Sequence, residues 1–597
     1  MKKGTLQDYL LVIYGYEQIY GFDGGGIERV RNEVSEFNFY SLLETLSKIV
    51  VKLYSKNGFS DRNNQVQLVR DIFAGDLEFR KKILEAISKS PTDNWVLFAE
   101  QPILNLYKVI LEKAKKEGGR LVKPEDVGLV GKWLLILSDV CMPDTHSGIV
   151  LPVEVERERL REFLARQSFF MVRERLPYRL ARFKDLFLKI EKLHPEFDIK
   201  KLFSTATSGI ELNDYLSLCF YLLVSWVNNT TQEPDITKQW ITCKRKYFEQ
   251  AQLDEKEVDA VVNLLLLDVD NYESGYQKVV SELLGGTDIY PYNFLQLRQC
   301  PFIPFNKECF VCPAPDFLMD KATEGIYWLL ENYLRKIGDK RTRDDLPTVW
   351  GNAFEAYIHE RLGGAFGNSY IKNPSANSRE LFDGVIVGSK AIFCVETKYA
   401  HWTYKARLTG KKVDMEPTLK QLFSGNEKVK GLGQITRTIK EIESGKSKLP
   451  IEIGNKKLIP LLIVGETVPM DAYNRKYYED FSKLARSFYE NYTVMPFIIL
   501  DAEEVETLEA MIAKHGAMLG EDILFEYSEM FSKRNADGYV REVIQFKNFL
   551  NRKGYLYPNN FPVMKKFDAI ANIATKKGFP RAKLRFRTGN KTRKTNK

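Results

Sequence analysis

Cysteine is scarce in this sequence, and long apolar runs are missing. Seven of the 597 residues are cysteine, an odd and low number that favours a reducing cytoplasm over a framework of disulfide bonds. The longest apolar stretches, such as residues 215–227, fall short of the roughly 20 residues that a membrane-spanning helix needs. The apolar run from Tyr9 to Tyr14 is likewise too short for a secretory signal. These shortages predict a soluble cytoplasmic protein without a membrane partner.

Two common catalytic signatures are missing as well. The glycines at 24–26 are not followed by Gly-Lys-Ser or Gly-Lys-Thr, and the Gly-Lys-Ser at 445–447 lacks the glycine five positions earlier. A phosphate-binding P-loop needs both parts, because its backbone and its lysine hold the phosphates together. No triad of serine, histidine and acid can be argued from spacing either. The sequence therefore excludes a P-loop NTPase and offers no case for a serine hydrolase.

The overall composition is typical of a folded protein. Hydrophobic residues make up 44% of the chain, charged residues 28% and aromatic residues 12%. These proportions are ordinary for globular proteins and argue against extensive disorder. The length suffices for about three or four domains. A net charge of +9 permits a polyanionic partner without requiring one.

A predicted β-hairpin organises the rest of the chain. Residues 381–387 and 391–397 are rich in β-branched and apolar residues, and Gly388-Ser389-Lys390 separates them. Such runs around a short polar turn are typical of two antiparallel strands. Either the first two or the last two of the three turn residues form the two-residue loop.

The hairpin brings two acids together in either register. With the last two turn residues as the loop, Asp383 lies directly opposite Glu396. With the first two, Asp383 lies opposite Cys394, one step along the same face from Glu396. Lys398 follows on the face of Glu396, because strand side chains alternate. The pattern predicts two carboxylates and an ammonium group on one face.

Such a cluster is costly beside an apolar core unless something offsets its charge. Hard oxygen ligands suit Mg²⁺ or Mn²⁺, so Asp383 and Glu396 are candidate metal ligands. Lys398 could then orient or deprotonate a water for attack on phosphorus. The alternative is a surface hairpin that ends in a solvated Glu-Lys pair.

This pattern resembles the PD-(D/E)XK nuclease superfamily. Asp383 matches the first acid and Glu396-Thr397-Lys398 matches E-x-K, whereas Phe382 stands where the family name has proline. The resemblance implies a restriction-endonuclease-like mixed sheet flanked by helices, in the order helix, three strands, helix, strand. It also implies a metal-side Glu355 on a helix over 351–362 and a supporting Gln434 on a helix that opens at Gly431.

The resemblance implies a Mg²⁺- or Mn²⁺-dependent endonuclease. Its catalytic residues would be Asp383, Glu396, Lys398, Glu355 and Gln434, and its metal ligands Asp383, Glu396 and Glu355. DNA is the expected substrate, in prokaryotic restriction, repair or anti-phage defence, although the sequence does not decide between DNA and RNA. The alternative is a non-catalytic nucleic-acid-binding or scaffold protein that retains the fold.

The segment after the second strand is rich in cations and aromatic rings. Residues 398–412 hold five basic residues, no acid and three aromatic residues. Cations bind phosphates and rings stack on bases, so this segment could follow a nucleic-acid backbone. A packed aromatic helix or loop with solvated lysines is the alternative. The candidate contacts are Tyr399, Trp402, Lys405 and Arg407, together with Arg437 on the following helix.

These patterns divide the chain into four consecutive segments and fit an α/β fold with a large all-helical N-terminal region. The helical region would regulate, target or bind a protein partner or a second copy of the chain. The last segment ends in a basic tail, with ten lysines and arginines among its final 22 residues. The segments are a mostly helical region over 1–290, a bridge over 291–345, the nuclease-like domain over 346–515 and a helical extension over 516–597.

Two further clusters could be taken for metal sites. Cys300, Cys309 and Cys312 have a spacing that hints at zinc, but buried free thiols are the favoured interpretation because a fourth ligand is missing nearby. The acids at 503, 504, 506 and 509 follow Asp501, a predicted helix N-cap. Solvated acids that suit the helix dipole are the expectation there.

Overall fold

The computed structural model describes residues 12–21, 24–54, 61–90, 95–142, 152–170, 176–231, 241–243, 255–286, 288–376, 379–423, 431–469, 492–533 and 544–555. No helix within these ranges combines the length and the apolar character that crossing a bilayer requires. The predicted basic tail lies outside the described residues.

Helices dominate the described chain. In chain order they are α1 (Tyr16–Tyr20), α2 (Gly26–Val34), α3 (Phe39–Tyr54), α4 (Arg62–Ile72), α5 (Leu77–Ser88), α6 (Glu100–Lys113), α7 (Val127–Cys141), α8 (Val153–Phe170), α9 (Leu176–Leu193), α10 (Ile199–Ala206), α11 (Leu212–Thr231), α12 (Glu255–Leu265), α13 (Tyr272–Glu282), α14 (Leu295–Gln299), α15 (Pro315–Ala322), α16 (Glu324–Ile337), α17 (Lys340–Phe366), α18 (Tyr404–Thr409), α19 (Lys412–Phe423), α20 (Leu432–Glu443), α21 (Ala502–His515), α22 (Ala517–Ser532) and α23 (Phe546–Arg552).

The strands are short except for two. They are β1 (Val12–Ile13), β2 (Trp95–Val96), β3 (Thr242–Cys243), β4 (Ile303–Pro304), β5 (Cys309–Val311), β6 (Tyr370–Lys372), β7 (Ser375–Ala376), β8 (Arg379–Glu380), β9 (Gly384–Val387), β10 (Ala391–Lys398), β11 (Lys457–Val464) and β12 (Ile498–Asp501). The long strands β10 and β11 are buried except for one terminal residue each; β10 is apolar over residues 391–395 and β11 over 458–464, as expected of strands that are covered on both faces.

The chain forms two compact units that interleave along the sequence. One contains the described parts of residues 1–150 and 207–326, and the other those of 151–206 and 327–570. The sequence instead suggested consecutive segments with boundaries near 290 and 345. The difference arises because α9 packs on α17, and such a contact between distant segments leaves no trace in local composition.

The first unit is mostly helical, as the sequence predicted. In α6 nearly every side chain is buried, and Pro102 sits in its first turn. Proline is tolerated there because backbone N–H groups in the first turn have no partner within the helix. The small strands β3, β5 and β4 form an antiparallel sheet in the same unit.

The cysteines of this unit do not form a zinc site. Cys309 is disulfide-bonded, and the backbone register of β3 and β5 places it opposite Cys243. The prediction of a free thiol is therefore wrong for Cys309, because cross-strand proximity to a distant cysteine is invisible in the sequence. Cys312 is a buried free thiol, and Cys300 is free and half-buried.

A mixed five-stranded sheet forms the core of the second unit. Its strand order is β12-β11-β10-β9-β6. The strands β6, β9 and β10 are antiparallel neighbours, whereas β10, β11 and β12 run parallel. Helices α17 and α20 pack against this sheet. The unit is therefore α/β, as predicted, and β6 precedes the two strands of the hairpin in the sequence.

Of the two predicted registers, the hairpin has the one in which Ser389 and Lys390 form the loop. Val387 pairs with Ile392, and the ladder continues to Gly384 opposite Val395. The Gly388 N–H donates to the Ala391 carbonyl at 2.9 Å. The pairing is symmetric about Ser389 and Lys390, so its next step places Asp383 opposite Glu396. The two-residue period of the strands thus predicted which residues share the face.

The acids at the start of α21 are buried, and the prediction that they are solvated is wrong. Asp501 does cap the helix, accepting from the Glu504 N–H at 2.9 Å. Glu506 is completely buried, and the Arg182 guanidinium and the Tyr357 hydroxyl both donate to it. Glu509 is buried against Arg361 at 3.3 Å. These partners come from α9 and α17, so the helix sequence alone could not reveal them.

We expect the free energy of unfolding to fall as the pH rises and Glu509 ionises. Burial raises the pKa of Glu509 from 4.5 to about 7, against the opposing charge of Arg361. The folded chain then keeps a proton that the unfolded chain loses first. This contribution to stability is therefore complete below pH 4.5 and is lost as the pH rises through about 7.

Glu509→Gln should remove this pH dependence, which amounts to a change in the free energy of unfolding on the order of 3 kcal/mol. Denaturant unfolding of both proteins across this pH range measures it. Glu529, an exposed acid on α22, supplies the control, and Glu529→Gln should keep the wild-type profile. Equal profiles for wild type and Glu509→Gln would contradict the expectation.

Candidate active site

The long helix α17 delivers the first acid of the site. Asp339 caps its start by accepting from the Thr342 N–H at 3.0 Å. The apolar stripe of Phe354, Ile358 and Leu362 is buried, which fixes the rotation of the helix. Glu355 follows Phe354 and keeps a side chain that is 33% exposed.

Glu396 is the most deeply buried acid of the hairpin. It lies on β10 with 0% of its side chain exposed. Its Oε1 accepts from Lys398 Nζ at 2.5 Å, whereas Oε2 is buried without a hydrogen-bond partner. Burial, which Lys398 opposes and the charges of Asp383 and Glu355 reinforce, raises the pKa of Glu396 to about 8.

Asp383 is anchored to the same strand. It is buried, and its Oδ2 accepts from the Thr397 N–H at 2.7 Å and from the Thr397 hydroxyl at 2.8 Å. Thr397 lies between the two charged residues of the E-x-K pattern. Sequence reasoning missed its role, although a hydroxyl residue at this position could have suggested a hydrogen bond across the hairpin.

Lys398 is a half-buried cation beside these acids. Its side chain is 17% exposed, and Nζ also donates to the Thr397 carbonyl at 2.9 Å. Burial alone would lower the pKa of Lys398, but Glu396, Asp383 and Glu355 outweigh burial and raise it. In the charged form, such a lysine can orient a water or bind a phosphate oxygen. The burial of this pair also excludes the solvated Glu-Lys alternative.

Further groups that the sequence did not suggest surround Glu355. His359 Nε2 lies 3.2 Å from Glu355 Oε1, and this hydrogen bond is the largest of the effects that lower the pKa of Glu355. Glu380 is largely exposed. Its partial burial and then the charges of Asp383 and Glu355 raise its pKa. A single sequence offers only the four-residue spacing of Glu355 and His359 as a signal.

The helix that follows the E-x-K strand is present as α20. It packs against β10 and β11. Gln434 is half-buried on this helix, and Arg437 is exposed. Both therefore occupy the predicted helix beside the sheet.

The predicted nucleic-acid segment is largely packed into the protein. Trp402 is buried and lies edge-on to Phe169 of α8, with ring centroids 5.4 Å apart. Trp402 therefore cannot stack on a base in this structure, and the packed alternative is correct for it. Tyr399 packs against Phe354, with ring centroids 5.0 Å apart. Lys405 is 41% exposed, with Nζ 3.6 Å from an Asp414 carboxylate oxygen.

Glu466 organises this segment and was missed by the sequence reasoning. Its carboxylate binds His401 Nδ1 at 2.9 Å, accepts from the Trp402 N–H at 3.2 Å and pairs with Arg407 at 2.5 Å. Burial favours the neutral acid, but Arg407 and His401 lower the pKa of Glu466 to about 2. The predicted phosphate contact Arg407 is thus held by a buried acid.

The position of Glu466 could have suggested its role. The parallel register places Lys398 beside Val464, so residues that follow β10 and β11 emerge at the same edge of the sheet. An acid two residues after β11 therefore lies near the segment that follows Lys398.

The acids fit a hydrated divalent cation better than a closed cage. Among the described residues, no three histidine, cysteine or acidic side chains form a ready metal site. Mg²⁺ typically keeps several waters and takes one or two carboxylates. The unpartnered Oε2 of Glu396 and the nearby carboxylates of Asp383 and Glu355 supply such oxygen donors.

Comparison with known proteins adds no assignment. No family model, curated protein or solved structure matches this chain. Function therefore has to be inferred from the geometry and chemistry of the site itself.

Proposed function

We propose that this chain is a metal-dependent nuclease of the PD-(D/E)XK superfamily that hydrolyses phosphodiester bonds in DNA. One observation carries the proposal: a carboxylate oxygen of Glu396 is buried without a partner, on the strand that also holds Lys398 and anchors Asp383. A buried acceptor without a partner is costly, and a bound cation would remove that cost.

The order of elements supports the proposal. Helix α17, strands β6, β9 and β10, helix α20 and strand β11 follow one another along the chain. This is the order that the resemblance implies for a restriction-endonuclease-like core. The E-x-K strand β10 lies at the centre of the sheet, where its backbone is least able to move.

Each residue of the site would have a separate role in hydrolysis. Asp383, Glu396 and Glu355 would hold Mg²⁺ or Mn²⁺, and the bound ion would supply a polarised water and charge neutralisation at the phosphate. Thr397 fixes Asp383 through two hydrogen bonds. Lys398, whose pKa the neighbouring acids raise, would donate to the attacking water or to a phosphate oxygen that gains charge. Gln434 would support the site from α20.

Fewer residues would contact the nucleic acid directly than the sequence suggested. Lys405 and Arg437 have exposed side chains and would contact backbone phosphates, which position a nucleic acid without reading its sequence. Tyr399 and Arg407 would act indirectly, by shaping the segment after β10. A restriction, repair or defence role would suit such an enzyme, with the helical unit binding a partner protein or a second copy.

A specific observation favours a second candidate. Lys398 already occupies Glu396 Oε1, and the described residues contain no closed metal site. A protein that binds nucleic acid without cutting it would show the same features. This candidate predicts binding to DNA with no turnover under any divalent cation.

A plasmid assay separates the two candidates. We expect the wild-type protein to nick or linearise supercoiled DNA with Mg²⁺ or Mn²⁺ and to be inactive with EDTA. Asp383→Asn should lower the rate by about 10²-fold or more, the loss typical of a removed catalytic group. Glu526→Gln, at a half-exposed acid that pairs with Lys553, should leave cutting unchanged. Binding of the plasmid without cutting by wild type would favour the second candidate.

A further inference from the structure

His359 has both ring nitrogens engaged beside the candidate active site. It lies one turn after Glu355 on α17, with 5% of its side chain exposed. Nε2 faces Glu355 Oε1 at 3.2 Å, and Nδ1 is hydrogen-bonded to the Tyr370 hydroxyl on β6. Two hydrogen bonds thus connect the three side chains in series, from Tyr370 on the edge strand of the sheet to the Glu355 carboxylate.

In the neutral form of the ring, the two hydrogen bonds decide which nitrogen carries the proton. A neutral imidazole has one donor and one acceptor nitrogen. Glu355 is an acceptor when ionised, so Nε2 must carry the proton and donate to it. Nδ1 is then the acceptor, and the Tyr370 hydroxyl donates to it. The phenol therefore selects the tautomer that holds Glu355.

A glycine makes room for this arrangement. Gly384 directly follows Asp383, and a Cβ at this position would clash with the Tyr370 hydroxyl. Backbone pairing sets Tyr370 opposite Ile386, which brings the phenol over the start of β9. Gly384 at the start of β9 thus directly follows Asp383 and leaves room for the phenol that orients His359.

We propose that Tyr370 and His359 act as positioning residues that hold the Glu355 carboxylate in place for a divalent cation or its water. The inference rests on the proposed function. The hydrogen bond to His359 engages Oε1, so Oε2 would be the oxygen that binds the cation or its water. Residues that orient a ligand typically change metal affinity or activity by about 10–100-fold when they are removed. Neither residue touches the cation or the substrate.

Calorimetric Mn²⁺ titration and plasmid cleavage of the full chain test the inference. We expect Tyr370→Phe and His359→Ala each to weaken Mn²⁺ binding by about 10–100-fold and to slow cleavage. His359→Gln should recover much of the loss, because its amide N–H can donate to Glu355. Tyr370→Phe decides the question if His359→Ala fails to fold.

Two controls separate positioning from general damage. In a Glu355→Gln background, Tyr370→Phe should cause no further loss of Mn²⁺ affinity, because its effect passes through that carboxylate. Tyr527→Phe removes another buried hydroxyl of the same unit, which donates to the Ile544 carbonyl at 2.7 Å. It should leave Mn²⁺ affinity unchanged even if it lowers the melting temperature.

The outcomes distinguish this inference from the proposed function. If wild type binds Mn²⁺ and cuts DNA, and Tyr370→Phe behaves like wild type, the positioning role is wrong and the nuclease stands. The positioning role is also wrong if Tyr370→Phe weakens binding equally with and without Glu355. If wild type neither binds Mn²⁺ nor cuts, the proposed function fails and takes this inference with it.

Discussion

Lys398→Ala should slow cleavage by about 10²-fold or more while leaving Mn²⁺ binding close to wild type. Its ammonium group would stabilise charge that develops on the water and phosphate, and losing such a contact typically costs that much in rate. Lys398 also lowers the pKa of Glu396, so removing it helps a proton compete with the cation. The titration should therefore be made at several pH values, because a loss of affinity caused by protonation of Glu396 shrinks as the pH rises.

Glu396→Gln should give the opposite pattern. It removes a carboxylate from the expected ligand set, so Mn²⁺ binding itself should weaken and cleavage should fall with it. Lys390→Ala is the matched control, because Lys390 lies at the turn of the same hairpin with 59% of its side chain exposed. That variant should bind and cut like wild type. Wild-type cutting by Lys398→Ala would remove the nuclease assignment at this site.

The register of the hairpin could be predicted because it depends only on neighbouring residues. A two-residue turn fixes which positions face each other, and side chains alternate along each strand. Asp383, Glu396 and Lys398 were therefore expected on one face, and the structure places them together. The same holds for Asp501, whose capping partner is three residues away. Local rules sufficed for these features.

Features that depend on distant partners could not be predicted. Glu506 follows a capping residue and looks like a solvated helix acid, yet its partner Arg182 lies 324 residues earlier. Trp402 looks like a stacking residue until Phe169 of α8 covers its ring. Local sequence encodes that a residue is charged or aromatic, but burial depends on which segments fold against it.

Removing Arg182 should destabilise the second unit more than removing any exposed cation. The Arg182 side chain is 3% exposed, and Glu506 is completely buried beside it. Two guanidinium nitrogens bind the carboxylate, at 2.5 Å and 3.1 Å, and the Tyr357 hydroxyl donates at 2.6 Å. Arg182→Ala removes the cation that pairs with this buried carboxylate, so we expect a loss of about 3–5 kcal/mol in the free energy of unfolding.

The buried charge, rather than the lost side chain, should be responsible for this effect. Arg182→Met combined with Glu506→Gln keeps an acceptor for Tyr357 and removes both charges, so it should recover most of the loss. The control is Lys553→Ala, because the Lys553 and Glu526 side chains are 48% and 44% exposed and such pairs contribute at most about 1 kcal/mol. Denaturant unfolding followed by tryptophan fluorescence compares the variants. If Arg182→Ala loses no more than Lys553→Ala, the ion pair does not stabilise the second unit.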